Sequence, residues 1–139
     1  MFNCIVFATD GSVHSQRALD YARDLTRLHD ATLYLVHVYH KVSDLLGTQE
    51  YDAILEHRIS AGKKIIEKAG KEFEKAGITY HVELLESPMA EAIINVAETR
   101  GADLIIIGAR GLSSLEGLLL GSVSQKVIHH ASCPVLVIH

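Results

Sequence analysis

Asp103-Leu104-Ile105-Ile106-Ile107-Gly108-Ala109-Arg110-Gly111, followed nine residues later by Gly121-Ser122-Val123-Ser124, is the stretch on which the reading of this chain turns. The apolar run Leu104 to Ile107 has the character of a strand buried on both faces. Val123 to His130 reads as a helix. Gly108 and Gly111 lack Cβ, so the main chain can turn sharply there and a ligand can come close to it. Gly121 and Ser122 open the helix, where free N–H groups and the positive end of the helix dipole favour an anion. The hydroxyls of Ser122 and Ser124 add donors. Two readings fit these residues: a phosphate cradle, or turn punctuation followed by a capped helix. Gly117-Leu118-Leu119-Leu120-Gly121-Ser122 has neither the lysine nor the spacing of a Walker loop, and no G-x-G-x-x-G fingerprint occurs.

Upstream, Ile5-Val6-Phe7-Ala8 is a second continuous apolar run, broken by Thr9-Asp10-Gly11-Ser12. A helix follows from Ser12, with Ala18, Ala22, Leu25 and Leu28 on one face. Thr32 to Tyr39 reads as a strand and residues 40–48 as a polar connector. A long helix is expected from about Gln49 to Ala76, weakened by Gly62 and Gly70 at about 1 kcal/mol each relative to alanine. Ile78 to Leu85 reads as the next strand. Ser87-Pro88 reads as a helix start, a capping hydroxyl before a proline at the first helical position, and Gly101 as its stop. Leu118 to Leu120 reads as a buried helical turn, with a hydrophobic lid as the alternative. Val135 to Ile138 closes the chain as a last strand.

The order is βαβαβαβαβ with no internal repeat and no linker, so one domain over 1–139 is expected. Strands alternating with helices imply a parallel sheet covered on both faces. Ligands of such sheets bind beyond the carboxyl ends of the strands, where strand order reverses. In a 3-2-1-4-5 order the first and fourth strands meet at that point. Thr9, Asp10, Gly108, Gly121 and Ser122 then converge on one crevice.

Composition narrows the function. The 139 residues carry 22% charged and 48% hydrophobic side chains and a net charge of −4. A nucleic-acid groove needs clustered Lys and Arg, and the lysines between Lys63 and Lys75 are interleaved with glutamates, so no nucleic-acid partner is expected. No apolar run has the length of a membrane span, and the first residues lack a basic signal-peptide region, so a cytoplasmic protein is expected. Cys4 and Cys133 form no CxxC and read as small buried hydrophobes. The nine histidines show no zinc spacing, and no metal ligand set is assigned.

Gly108-x2-Gly111-x9-Gly121-Ser122 resembles the nucleotide signature of the universal stress protein family, in its ATP-binding branch. The resemblance extends over Ile5 to Ser12, Leu35-Val36-His37-Val38, Asp103 to Gly108 and Ser132-Cys133-Pro134-Val135-Leu136-Val137, nearly the whole chain. It implies an open five-stranded parallel sheet of order 3-2-1-4-5 with helices on both faces, an adenine nucleotide alpha hydrolase-like fold. Ala8, Thr9 and Asp10 match the edge of the first strand, where the aspartate lies near ribose and phosphate. Val38 matches the position whose main chain reads the adenine edge. Ile107 and Gly108 match the segment beside the ribose. Gly111, Gly121, Ser122, Val123 and Ser124 match the phosphate-holding residues, and Arg110 is a further phosphate candidate at a position the family varies. The ligand implied is ATP, or AMP or ADP, with Mg²⁺ held mainly through the phosphates and Asp10 assisting directly or through water. A homodimer through the strand 135–138 is also implied. Ala8, where some members have a bulkier residue, and the variable segment 40–50 depart from the pattern.

Asp10 is read as a ligand contact in preference to a simple helix cap, and His37 as a packed or hydrogen-bonded histidine in preference to an acid or base. The expected function is a nucleotide-dependent sensor or switch in stress response that acts on an unknown protein partner. A slow ATPase or self-phosphorylating enzyme is the second reading. Phosphoryl transfer needs cations on the leaving phosphates and a positioned base. The loop offers one arginine, no lysine and no base beyond Asp10, so no catalytic residue is assigned. A nucleotide-free dimerisation or chaperone-like protein is the third.

Overall fold

The computed structural model describes residues 1–111 and 117–139. Residues 112–116, which fall between Gly111 and Gly121 in the sequence, lie outside the described residues. The element order is β1 (Cys4–Ala8), α1 (Val13–His29), β2 (Thr32–Tyr39), α2 (Thr48–Lys75), β3 (Tyr80–Glu86), α3 (Met89–Arg100), β4 (Leu104–Gly108), α4 (Ser122–His130) and β5 (Val135–Ile138). The sheet is parallel in every pairing, in the order β3-β2-β1-β4-β5. This is the expected doubly wound architecture.

Period-2 alternation along the central strands divides the core. Ile5, Phe7, Leu33, Leu35, Leu104 and Ile106 face α1 and α2, where Phe7 meets Phe73 edge to face with ring centroids 6.1 Å apart. Val6, Val36, Val38, Ile105 and Ile107 face α3 and α4, against Ile93, Val96 and Val127. Each such fully buried side chain contributes about 1.5–3 kcal/mol of transfer free energy, so the two layers together hold the sheet between its helices.

Local signals set the element ends. Ser12 caps α1, its hydroxyl accepting the Ser15 N–H at 3.3 Å. Four local expectations are corrected. Ser87 does not cap α3: its hydroxyl accepts the Lys41 N–H at 2.9 Å, and Pro88 itself is the N-cap residue. β3 starts at Tyr80 because the Ile78 N–H turns back to Phe73 O to close α2. Leu118 and Leu119 form no buried helical turn; they are 46% and 75% exposed, and α4 starts only at Ser122. Cys4 and Cys133 are free and half-buried, not sealed in the core. Among the described residues no helix is long and apolar enough to cross a membrane.

Candidate functional site

β1 and β4 are neighbours whose following helices lie on opposite faces of the sheet, so their carboxyl ends open a crevice between them. A cavity of about 410 Å³ lies there. Every candidate residue of the sequence reading lines it: Ala8, Thr9, Asp10, Val38, Ile107, Gly108, Arg110, Gly111, Gly121, Ser122, Val123 and Ser124. Strand order gives the cavity two ends, one on the β2 side and one on the β4 side.

The β4 end is built for an anion. Gly121 N–H donates to Ala109 O at 2.7 Å, which ties the start of α4 to the exit of β4. The first helical bond is Gln125 N–H to Gly121 O, and no side chain caps the helix. The N–H groups of Ser122, Val123 and Ser124 therefore have no acceptor among the described residues, and all three residues face the cavity. Unpaired amides at a helix start present partial positive charge without any lysine. The Ser124 hydroxyl has another use than expected, because it donates to the carbonyls of Gly108 and Ala109 at 2.8 and 3.0 Å. Ser124 serves the cavity through its main chain and braces the loop through its side chain.

The glycines too are explained by packing. A Cβ on Gly108 would lie 2.8 Å from Ser15 N and 2.9 Å from the His14 carbonyl carbon, so α1 crosses β4 only because residue 108 is glycine. A Cβ on Gly111 would run into Asp10 Oδ2. Both absences of Cβ draw protein segments together around the crevice, where the sequence suggested a sharp turn and closeness to a ligand.

Asp10 fixes the turn that precedes the Ser12 cap and also lies on the cavity wall. Its Oδ1 accepts the Ser12 N–H at 2.9 Å and lies 3.1 Å from the Ser15 hydroxyl, which fixes the turn into α1. Its Oδ2 is turned to Gly111 across the crevice. Among the described residues it is the one carboxylate on the cavity wall, and no group of three His, Cys, Asp or Glu is placed to hold a metal ion. Arg110 donates through Nη2 to His14 Nε2 at 3.0 Å, which leaves the His14 proton on Nδ1. Burial, followed by the nearby Arg110 and Arg17 charges, pushes the His14 pKa below the usual imidazole range.

The β2 end is apolar, with Val36, Val38, Ala61, Ile65, Met89 and Ile93 on its walls. Thr9 N–H donates to Val36 O at 2.9 Å. Strand groups alternate sides, so Val38 turns its own N–H and C=O the same way, past the last β1 pairing at Ala8–Val36. A donor and an acceptor thus flank an apolar slot. His37 Nδ1–H donates to Thr9 O at 2.8 Å, leaving Nε2 as an acceptor on the wall. The sequence reading missed the α2 and α3 contributions: Arg58, Ala61, Gly62, Ile65, Met89 and Ile93. Their spacing on those helices matches that of ordinary core residues, so only the packing reveals them.

A doubly wound parallel sheet with a crevice at its switch point, apolar at one end and lined by a helix start at the other, has the architecture of an α/β ligand-binding domain. The chain belongs to the universal stress protein family, whose profile matches residues 1–139. It is 39% identical to the "Universal stress protein in QAH/OAS sulfhydrylase 3'region" of Thermus aquaticus over 99% of both chains. Among solved structures it is similar to protein MJ0577 of Methanocaldococcus jannaschii, with a TM-score of 0.86 and 29% identity over 99% of this chain and 96% of that one. It is also similar to a universal stress protein in complex with cAMP, with a TM-score of 0.77 and 28% identity over 99% and 97% of the two chains. A universal stress protein of Archaeoglobus fulgidus in complex with dAMP gives a TM-score of 0.68 and 26% identity, over 99% and 98%.

Proposed function

We propose that this chain is an ATP-binding universal stress protein that works as a nucleotide-dependent switch. The observation that carries the reading is the polarity of the crevice at the switch point. The N–H groups of Ser122, Val123 and Ser124, without an acceptor among the described residues, stand at one end, and the apolar slot beside the Val38 main chain stands at the other. A nucleotide has the same polarity. Its base enters the slot and pairs with Val38, its ribose lies beside Ala8, Thr9, Ile107 and Gly108, and its phosphates meet Gly111, Arg110 and the start of α4. That two similar proteins were solved with cAMP and dAMP supports the adenine preference.

Mg²⁺ fits this arrangement only as a companion of the phosphates. Asp10 can hold it directly or through water, and phosphate oxygens and waters complete the oxygen shell that Mg²⁺ demands. The ion neutralises phosphate charge that the wall itself, with Arg58 and Arg110 as its arginines, does not cancel. Binding engages Arg110, Gly111 and the start of α4 and so changes the surface shown to a protein partner. Turnover is secondary, because no lysine lies on the described wall to stabilise a leaving phosphate. The chain also pairs as a homodimer through β5, an edge strand with Val135, Leu136 and Val137 half-buried.

Calorimetric titration of nucleotide-free protein with ATP, ADP and AMP, with and without Mg²⁺, tests the site. The expected Kd is about 1–100 μM, or roughly −5.5 to −8 kcal/mol. Absence of heat for all three would refute the nucleotide reading. Steady ADP release at several turnovers per minute, lost in Asp10→Ala, would favour an enzyme instead. Light scattering on the purified protein, with Val137→Lys as the comparison, reads the dimer.

A further inference from the structure

Arg58 lies within α2 and was not singled out in the sequence. Its Nη1 donates to His40 O at 2.7 Å and to Lys41 O at 2.8 Å, the two carbonyls just beyond the end of β2. Both Nη1 protons are thereby used, and the fork geometry of a guanidinium fixes the rest of the group. Nε–H and the Nη2 protons have no acceptor among the described residues, and Arg58 has no carboxylate partner there. The side chain lines the cavity at its apolar β2 end, far along the sheet from the start of α4.

One turn further along the same face of α2 comes Gly62. A Cβ there would lie 2.9 Å from His37 Cδ2 and 2.9 Å from Leu84 Cδ1, so α2 lies directly on β2 and β3 at this point. That close packing sets Arg58, one turn earlier, half-buried on the wall of the cavity. A planar cation on an apolar slot suits an aromatic ring with acceptor nitrogens, through stacking and through N–H donation. The start of α4 follows β4, on the other side of β1 from β2, so the part of a ligand nearest Arg58 is the one held at the β2 end.

We infer that Arg58 is a specificity-determining residue that reads the base of the bound nucleotide and favours purines over pyrimidines. This rests on the nucleotide reading of the crevice. A purine offers the larger π face and ring-nitrogen acceptors that the remaining Arg58 donors can reach, whereas a pyrimidine ends short of α2. The alternative is that Arg58 only straps the 40–47 connector to α2.

Competition of AMP and CMP against a fluorescent trinitrophenyl-ATP probe separates the two. The proteins compared are wild type, Arg58→Gln and Arg58→Lys, each checked by its thermal melt. Expected is an approximately tenfold loss of AMP affinity in both variants with CMP changed less than twofold, because lysine keeps the charge but not the plane. Equal losses for AMP and CMP, or no loss for either, would overturn the inference and leave Arg58 a strap. Failure of the probe and of AMP to bind the wild type would instead overturn the nucleotide reading, and the Arg58 role with it.

Discussion

The Ser124 hydroxyl donates across 2.8 Å to the Gly108 carbonyl, joining the first turn of α4 to the last residue of β4. The loop between them is thus closed at its base by one side chain. Ser124→Ala removes that donor and leaves the buried carbonyls of Gly108 and Ala109 without it, a loss of about 1 kcal/mol. Urea unfolding should show a lower midpoint with an unchanged slope. ATP affinity should fall less than threefold, because the main-chain N–H of residue 124 remains in place.

Gly108→Ala tests whether this glycine serves packing. The added methyl meets main-chain atoms of Ser15 and His14, which cannot rotate away. Overpacking of this kind destabilises by about 1–3 kcal/mol. A variant as stable as the wild type would mean that α1 and β4 have more room than the structure gives them.

Asp10→Asn keeps an oxygen for the Ser12 N–H and so preserves the turn into α1. It removes the one carboxylate on the described wall. The fold should survive, and the gain in ATP affinity that Mg²⁺ confers should shrink by about tenfold, or 1.4 kcal/mol. Parallel titrations with Mg²⁺ and with EDTA measure it.

His14 gives a pH dependence of definite sign. Its pKa is lowered in the folded protein by burial and by the facing Arg110, Arg17 and His139. The unfolded chain therefore binds this proton first as pH falls. The stability associated with neutral His14 is complete above the ordinary imidazole range and is lost as pH descends through the lowered value. Protonation also removes the acceptor of the Arg110 bond. Between pH 8 and 5.5 the stability of His14→Gln should decline less than that of the wild type, as read from urea midpoints.

Much of this molecule was legible in its residues alone. The two buried-strand runs, Ile5–Ala8 and Leu104–Ile107, and the alternation with helices led to a parallel sheet, because apolar periodicity and strand–helix connectivity are local properties. The order of its strands came with the family resemblance. Given that order, Thr9, Asp10, Gly108, Gly121 and Ser122 followed from the carboxyl ends of β1 and β4 lying side by side, and the resemblance supplied the other crevice residues. Tertiary structure alone decided how each residue is used there. Gly108 and Gly111 were read as openings to a ligand, yet their missing Cβ atoms admit α1 and the Asp10 carboxylate. Ser124 was read as a donor to phosphate, yet its hydroxyl is spent on β4. Leu118 and Leu119 were read as buried and are exposed, and Arg58 was not singled out at all. Such roles depend on distances between segments far apart in the chain, and sequence spacing along one segment contains no information about them.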